Sequence, residues 1–188
     1  LEENGRIAFG NIDYRGQDLT ALSSHKDWEQ IRGAKIATIF QDPMTSLNPV
    51  IKVGKQIMEG IMIHKKVSKA KAKELAIEML RKVGIPKPEE RFHQYPHEFS
   101  GGQRQRLGIA RAVATKPKLI IADEPVSALD LSVQAQVLNY MKDIQEQFGL
   151  SYLFISHDLG VVKHMCDYIY IMYRGRFVET GTREDIYH

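Results

Sequence analysis

The chain has 188 residues, with 26 Lys and Arg against 23 Asp and Glu, and a formal net charge of +3. This length predicts about one domain, with a core large enough to need no disulfide. So small a net charge does not indicate a nucleic-acid partner. The single cysteine, Cys166, excludes an internal disulfide and a cysteine-based zinc site. The longest apolar or aromatic run, Tyr168–Tyr173, is far shorter than the ~18 residues of a membrane span.

Short runs of apolar and β-branched residues predict five strands. They cover residues 7–9, 35–40, 118–122, 152–155 and 168–173. The dipeptide Arg174-Gly175, followed by another extended run at residues 176–179, predicts a hairpin at an antiparallel edge.

Apolar residues at helical spacing predict two amphipathic helices. The first covers residues 68–83 and ends before Gly84, a common residue at a helix C-terminus. The second carries its apolar stripe from Val133 to Phe148 and ends at Gly149.

The order of these elements predicts an α/β fold. A strand, a helix and a strand follow one another over residues 118–155, which indicates parallel pairing through a crossover helix. Residues 43–115 contain at least three helical patterns and no convincing strand. We therefore expect a helical insert between two strands of a mostly parallel sheet.

Two adjacent carboxylates, Asp123 and Glu124, follow the apolar run at residues 119–122. An apolar run of this kind is typical of a strand covered on both faces, and ligands of open α/β sheets bind at the carboxyl ends of strands. Successive strand side chains point in opposite directions, so we expect different tasks for the two groups. One would hold Mg²⁺ and the other would orient or deprotonate a water. The alternative is a solvated loop after a buried strand.

A second pattern starts at Ser100, which is followed three residues later by Gln103, the spacing of a capping box. Between them, Gly101 and Gly102 leave backbone N–H groups accessible to an anion at a helix N-terminus. A basic turn at residues 104–106 favours the same interpretation. The alternative is an ordinary helix start that contains glycine.

Gln41 and His157 each follow a predicted strand. A lone Gln or His is more often structural than catalytic. In a parallel sheet, however, three strand ends would bring Gln41, His157 and the two carboxylates to one crevice. An amide, two carboxylates and an imidazole suit phosphoryl transfer, in which catalysis is mostly positioning and electrostatics.

Five motifs occur in an order that resembles the nucleotide-binding domains of ABC ATPases. They are Gln41-Asp42-Pro43, Ser100-Gly101-Gly102-Gln103, residues 119–124, Ser127-Ala128-Leu129-Asp130 and Ser156-His157-Asp158. The longer strings at residues 40–49 and 95–103 look like the ATPase subunits of dipeptide, oligopeptide or nickel importers. The resemblance covers nearly the whole chain.

The resemblance implies a role for each motif. Glu124 would be the general base, His157 the switch histidine on the γ-phosphate of ATP, and Gln41 the glutamine that contacts Mg²⁺ and the attacking water. Asp123 would bind Mg²⁺ through water, and Asp130 would close a loop across a dimer. The signature residues would contact ATP held by the opposite subunit; they are Ser100, Gly101, Gly102 and Gln103.

One expected motif is missing, because no GxxxxGK[ST] string occurs in the 188 residues. In the family this P-loop would precede Leu1, and its backbone N–H groups and Lys hold the β- and γ-phosphates. We therefore expect a truncated P-loop NTPase (RecA-like) core with an inserted helical subdomain. Residues 1–42 and 116–188 would form the core, and residues 43–115 the helical subdomain. The full-length protein would be an ATPase, and this piece alone would be inactive.

The resemblance also implies partners and a location. The subunit would lie on the cytoplasmic face of the cell membrane, peripherally, beneath transmembrane permease subunits and beside a second ATPase subunit. An extracellular solute-binding protein would act on it indirectly. Two alternatives stay open: a non-transport ABC ATPase acting on ribosomes or DNA, and a folded interaction module without activity.

Overall fold

The computed structural model describes residues 7–187; residues 1–6 of the expected N-terminal part of the core, and residue 188, lie outside it. The strands are β1 (Asp13–Tyr14), β2 (Gln17–Asp18), β3 (Ile36–Ile39), β4 (Leu119–Asp123), β5 (Ser151–Ile155), β6 (Tyr168–Tyr173) and β7 (Arg176–Thr182). The α-helices are α1 (His25–Glu29), α2 (Pro43–Ser46), α3 (Val53–Lys65), α4 (Lys69–Lys82), α5 (Pro88–Arg91), α6 (Gly101–Val113), α7 (Leu131–Phe148), α8 (Leu159–Met165) and α9 (Arg183–Tyr187).

The central sheet is parallel, with strand order β3-β4-β5. Strand β4 pairs with both neighbours, so that Ala122 lies opposite Ile39 on one side and Phe154 on the other. Helix α7 makes the crossover from β4 to β5. The three strands end at the same edge of the sheet, and each is followed by one of the polar residues that the sequence analysis singled out. The predicted α/β fold with a parallel sheet is confirmed.

The two faces of this sheet differ in burial. One face carries Ile39 and Ile120, which are 2% and 0% exposed. On the other face, Leu153 and Ile155 of β5 remain 52% and 46% exposed. Strand β4 itself is buried at Ile120 and Ala122 on the first face and only partly buried at Leu119 and Ile121 on the second, so the expected covering of this strand on both faces is complete on one face only.

Between β3 and β4 the described residues contain helices α2 to α6, joined by loops, and no strand. Helices α3, α4 and α6 pack together around side chains that are essentially inaccessible to solvent, among them Ile61, Leu80 and Leu107. Our division of the chain at residues 42 and 115 remains an interpretation of this helical stretch.

Most predicted elements are confirmed within a residue or two. Ser68 caps α4, and Gly149 ends α7 in the left-handed conformation, as their positions indicated. The strand predicted at residues 7–9 is wrong, because among the described residues no strand pairs with this segment, and Phe9 is 92% exposed. The hairpin at Arg174-Gly175 is confirmed, although β6 and β7 form a separate antiparallel pair. Among the described helices, none has the length and hydropathy of a membrane span.

Candidate functional site

The side chain of Glu124 lies between two polar groups at the carboxyl edge of the sheet. Gln41 Nε2 donates a hydrogen bond of 3.2 Å to Glu124 Oε2. His157 Nδ1 lies 2.9 Å from Glu124 Oε1. The ends of β3, β4 and β5 thus bring an amide, a carboxylate and an imidazole into direct contact. Gln41 and His157 lie 83 and 33 residues away from Glu124 in the chain.

The backbone holds Glu124 in an unusual conformation. Its φ is +45°, a left-handed value that glutamate adopts rarely and that costs energy at a non-glycine residue. Two contacts hold the peptide on both sides: its N–H donates to Ile155 O at 2.9 Å, and its C=O accepts from the Ser127 hydroxyl at 3.1 Å. Strain of this kind is commonest at functional sites, where the surrounding structure fixes a side chain in place.

The pair of His157 and Glu124 has an electrostatic consequence. The hydrogen bond to Glu124, followed by the charge of its carboxylate, raises the pKa of His157 above its ordinary value. The His157 side chain is 74% exposed, whereas that of Glu124 is 28% exposed. The imidazole is therefore accessible to a ligand approaching from solvent, while the carboxylate lies deeper.

Asp123 is the last residue of β4 and is exposed at the same edge. Its carboxylate, that of Glu124 and the side-chain amide oxygen of Gln41 are the hard oxygen ligands that Mg²⁺ prefers. Among residues 7–187 there is no group of three or more His, Cys, Asp and Glu that would form a complete metal cage. This donor set fits a Mg²⁺ ion that keeps waters and takes further ligands from a phosphate substrate.

The second group of predicted residues lies at the N-terminus of α6. Ser100 and Gln103 form the predicted capping box: Ser100 N–H donates to Gln103 Oε1 at 3.1 Å, and Gln103 N–H donates to Ser100 Oγ at 3.3 Å. These two side chains are therefore engaged with each other and with the backbone of the first turn.

The two glycines of this turn have different surroundings. A Cβ added at Gly101 would meet no atom within 4 Å, whereas one at Gly102 would lie 2.2 Å from Cγ1 of Val133. Gly101 thus faces open space, as an anion site requires. Gly102 allows α6 to pack closely on α7, a role that the sequence analysis did not predict.

The basic residues after the glycines contact the backbone of the protein itself. Arg104 Nε donates to Pro96 O at 3.1 Å, and Arg106 Nη1 donates to Gly84 O at 2.9 Å. The guanidinium of Arg106 also lies 5.5 Å from the centre of the Tyr140 ring. Both cations bind backbone carbonyls of the protein itself, so these contacts give no support to residues 104–106 as part of an anion site.

Asp130 is the N-cap of α7. Its Oδ1 accepts hydrogen bonds from Val133 N–H at 3.0 Å and from the Ser132 hydroxyl at 2.8 Å. These bonds, the backbone one first, lower the pKa of Asp130. Since Val133 also contacts Gly102, the capped start of α7 lies beside the start of α6.

Sequence reasoning missed two polar side chains on α6 that bond to the loop containing Gln41. Gln105 is 2% exposed, and its Nε2 donates to Phe40 O at 3.2 Å. Arg111 Nη1 donates to Ser46 O. A signal was present, because Gln105 precedes the buried Ile109 by four residues and so occupies a core-facing position of the helix.

The fold matches solved structures of ATP-binding cassettes. A dimeric, post-hydrolysis state of the cassette MJ0796 bound to ADP and Pi superposes with a TM-score of 0.81 at 24% identity, over 94% of this chain and 74% of that one. CbiO1 from Clostridium perfringens, part of the ABC transporter complex CbiONQ, gives a TM-score of 0.81 at 24% identity, over 96% of this chain and 68% of that one. The fold is that of an ATP-binding cassette, built on an α/β core.

The sequence comparison identifies the family. The family described as ABC transporter matches residues 2–127, and the chain belongs to it. The oligopeptide transport ATP-binding protein AmiE of Streptococcus pneumoniae is 57% identical over the whole chain, which covers 53% of AmiE. The oligopeptide transport ATP-binding protein OppD of Bacillus subtilis is 55% identical over 98% of the chain, covering 51% of OppD. The chain thus spans about half the length of the curated relatives it matches.

Proposed function

We propose that the chain is part of the ATP-hydrolysing subunit of an ABC importer of peptides or similar small solutes. The contact of Gln41, Glu124 and His157 at one sheet edge carries this proposal. The relatives that match 98–100% of the chain are named as oligopeptide transport ATP-binding proteins, which supports the solute class.

In this proposal Glu124 is the general base of ATP hydrolysis. Each carboxylate oxygen has two lone pairs, so Glu124 can keep its contacts with Gln41 and His157 and still accept a proton from a water. Gln41 holds one side of that carboxylate. The exposed imidazole of His157, whose pKa is raised, can donate to the outermost phosphate.

Asp123 and the amide oxygen of Gln41 would hold Mg²⁺, whose charge would offset the negative charge of the phosphates. The N-terminus of α6 supplies a second phosphate contact in the proposal. There Gly101 leaves the backbone accessible, and Ser100, Gly102 and Gln103 fix the helix start. We assign this contact, together with Asp130, to ATP held by a second, identical or homologous ATPase subunit.

The 188-residue chain alone should bind ATP weakly, because it contains no GxxxxGK[ST] motif to hold the β- and γ-phosphates. Isothermal titration of this chain with Mg-ATP measures that affinity directly. We expect no saturable binding in the micromolar range, and micromolar affinity would refute this part of the proposal.

Transmembrane permease subunits are the proposed direct partners, with an extracellular solute-binding protein acting through them. A groove of about 850 Å³ runs along the open edge of β3, between that strand, α3 and the end of α6. It is lined by apolar side chains such as Ile63 and by polar ones such as Glu59 and Arg111. We propose that a permease segment docks here, which would place the subunit peripherally on the cytoplasmic face of the membrane. Co-purification of permease subunits from membranes would support this partner, and recovery of ribosomes or DNA instead would refute it.

The catalytic proposal is tested with Glu124→Gln in the intact subunit. Removing a general base lowers turnover by about 100-fold to 10,000-fold. The amide that replaces the carboxylate keeps the size of the side chain and one oxygen that accepts hydrogen bonds. ATP binding should therefore remain. The matched control is Glu146→Gln on the exposed face of α7, which should hydrolyse ATP at the wild-type rate. Unchanged turnover in Glu124→Gln would refute the role of Glu124.

A further inference from the structure

Helix α6 is bonded to both ends of the loop that contains Gln41. Near its start, Gln105 donates to the carbonyl of Phe40, the residue before Gln41. Near its end, Arg111 donates to the carbonyl of Ser46, the last residue of α2. Residues 41–46 are thus held between two side-chain contacts from one rigid helix.

Both contacts are partly buried. Gln105 is 2% exposed, and burial lowers the pKa of the Arg111 guanidinium even though Glu59 lies near enough to favour its charge. A partly buried carbonyl that loses its donor keeps part of its desolvation cost, so breaking either contact costs free energy. The loop between them is otherwise closed by short-range bonds of its own, from Met44 N–H to Asp42 Oδ1 and from Thr45 N–H to Asp42 O.

We propose that Gln105 and Arg111 are positioning residues that fix the Gln41 loop, and through it the amide of Gln41, against the Glu124 carboxylate. This inference rests on the proposed function for its catalytic consequence. We call the two contacts the α6 clamp. Phe40, Ser46 and Arg111 also line the groove beside β3, so a segment docked in that groove would touch the clamp directly.

The structural test uses Gln105→Met and Arg111→Met in the 188-residue chain, since Met keeps much of each side chain's length without a donor. Amide hydrogen exchange at Met44 and Thr45 reports opening of the loop. We expect exchange about tenfold faster in either variant, the effect of losing one hydrogen bond. The matched control is Arg106→Met on the same helix, whose guanidinium binds Gly84 O instead. It should leave exchange at Met44 and Thr45 unchanged.

The catalytic test uses the same three variants in the intact subunit. Misplacing a catalytic group by about 1 Å can cost as much as 100-fold in rate. The clamp variants should therefore lower kcat by about tenfold to 100-fold, with the KM for ATP within about twofold of wild type. Arg111→Lys, which restores a donor, should recover part of the rate. Arg106→Met removes a guanidinium that bonds the carbonyls of Gly84 and Gly102, so it controls for general destabilisation and should lower kcat less than the clamp variants do.

The possible results separate the two proposals. Exchange at Met44 and Thr45 that stays at the wild-type rate in Gln105→Met and Arg111→Met would overturn the clamp. A kcat that falls as much in Arg106→Met as in the clamp variants would also overturn the clamp. If the intact wild-type subunit hydrolyses no ATP while the clamp variants still show faster exchange, the proposed function fails and the clamp's structural role stands.

Discussion

The close approach of α6 and α7 predicts that Gly102→Ala destabilises the protein through a single steric contact. The added Cβ would lie 2.2 Å from Cγ1 of Val133, whereas carbon atoms in contact are normally about 3.5–4.0 Å apart. Therefore either one helix must move by more than ~1 Å, or the Val133 side chain must adopt a strained rotamer. Overpacking of this kind costs about 1–3 kcal/mol. We expect that loss in the free energy of unfolding, measured by urea titration of the 188-residue chain.

A second substitution should relieve this clash. Val133→Ala removes Cγ1 and leaves Cβ 3.6 Å from the new methyl group, an ordinary contact. Alone it should cost about 1 kcal/mol, the value of the lost burial. The double variant should be more stable than the sum of the two single changes by about 1–2 kcal/mol. Gly101→Ala is the control, because its Cβ would meet nothing within 4 Å. If Gly101→Ala and Gly102→Ala destabilise equally, or if Val133→Ala gives no rescue, the packing argument is wrong.

Two further predictions concern charge and exposed surface. Replacing Glu124 with Gln should lower the pKa of His157 toward its ordinary value, measured by NMR titration; an unchanged pKa would show that their contact does not persist in solution. Because the pKa of His157 is raised in the folded state, its contact with Glu124 stabilises the fold. This stabilisation is fully present below the unfolded-state pKa of about 6.5, and it is lost as the pH rises through the folded-state pKa. The exposed Leu153 and Ile155 should make the isolated chain self-associate, and Leu153→Lys should increase the monomer fraction in sedimentation velocity. Leu159→Lys, which removes an even more exposed leucine from α8, is the control and should have no such effect; a similar gain there would refute an interface on the sheet.

The parts of the fold that depend on local pattern could be predicted from the sequence. The apolar stripe from Val133 to Phe148 predicted α7, and the apolar runs predicted the three parallel strands. Both predictions were possible because the spacing of apolar residues reflects which face of an element is buried. The segment at residues 7–9 has the same composition as a strand, but strand formation needs a partner and none pairs with it in the described chain. Composition alone could not reveal that.

The candidate site could be predicted only in part from the sequence. The convergence of Gln41, Glu124 and His157 follows from the rule that parallel strands end at one edge of a sheet. The left-handed backbone of Glu124 could not be predicted, since glutamate has no preference for it. The same is true of Gly102, whose neighbour Val133 is 31 positions away in the chain. Side-chain contacts between distant segments depend on how the helices pack, and a local pattern does not carry that information.

The most direct test of the account is a structure of the intact subunit with Mg²⁺ and a non-hydrolysable ATP analogue. We predict that the outermost phosphate lies within hydrogen-bonding distance of the His157 imidazole, with a water between that phosphate and the Glu124 carboxylate. Nucleotide bound with its phosphates remote from both side chains would contradict the central claim.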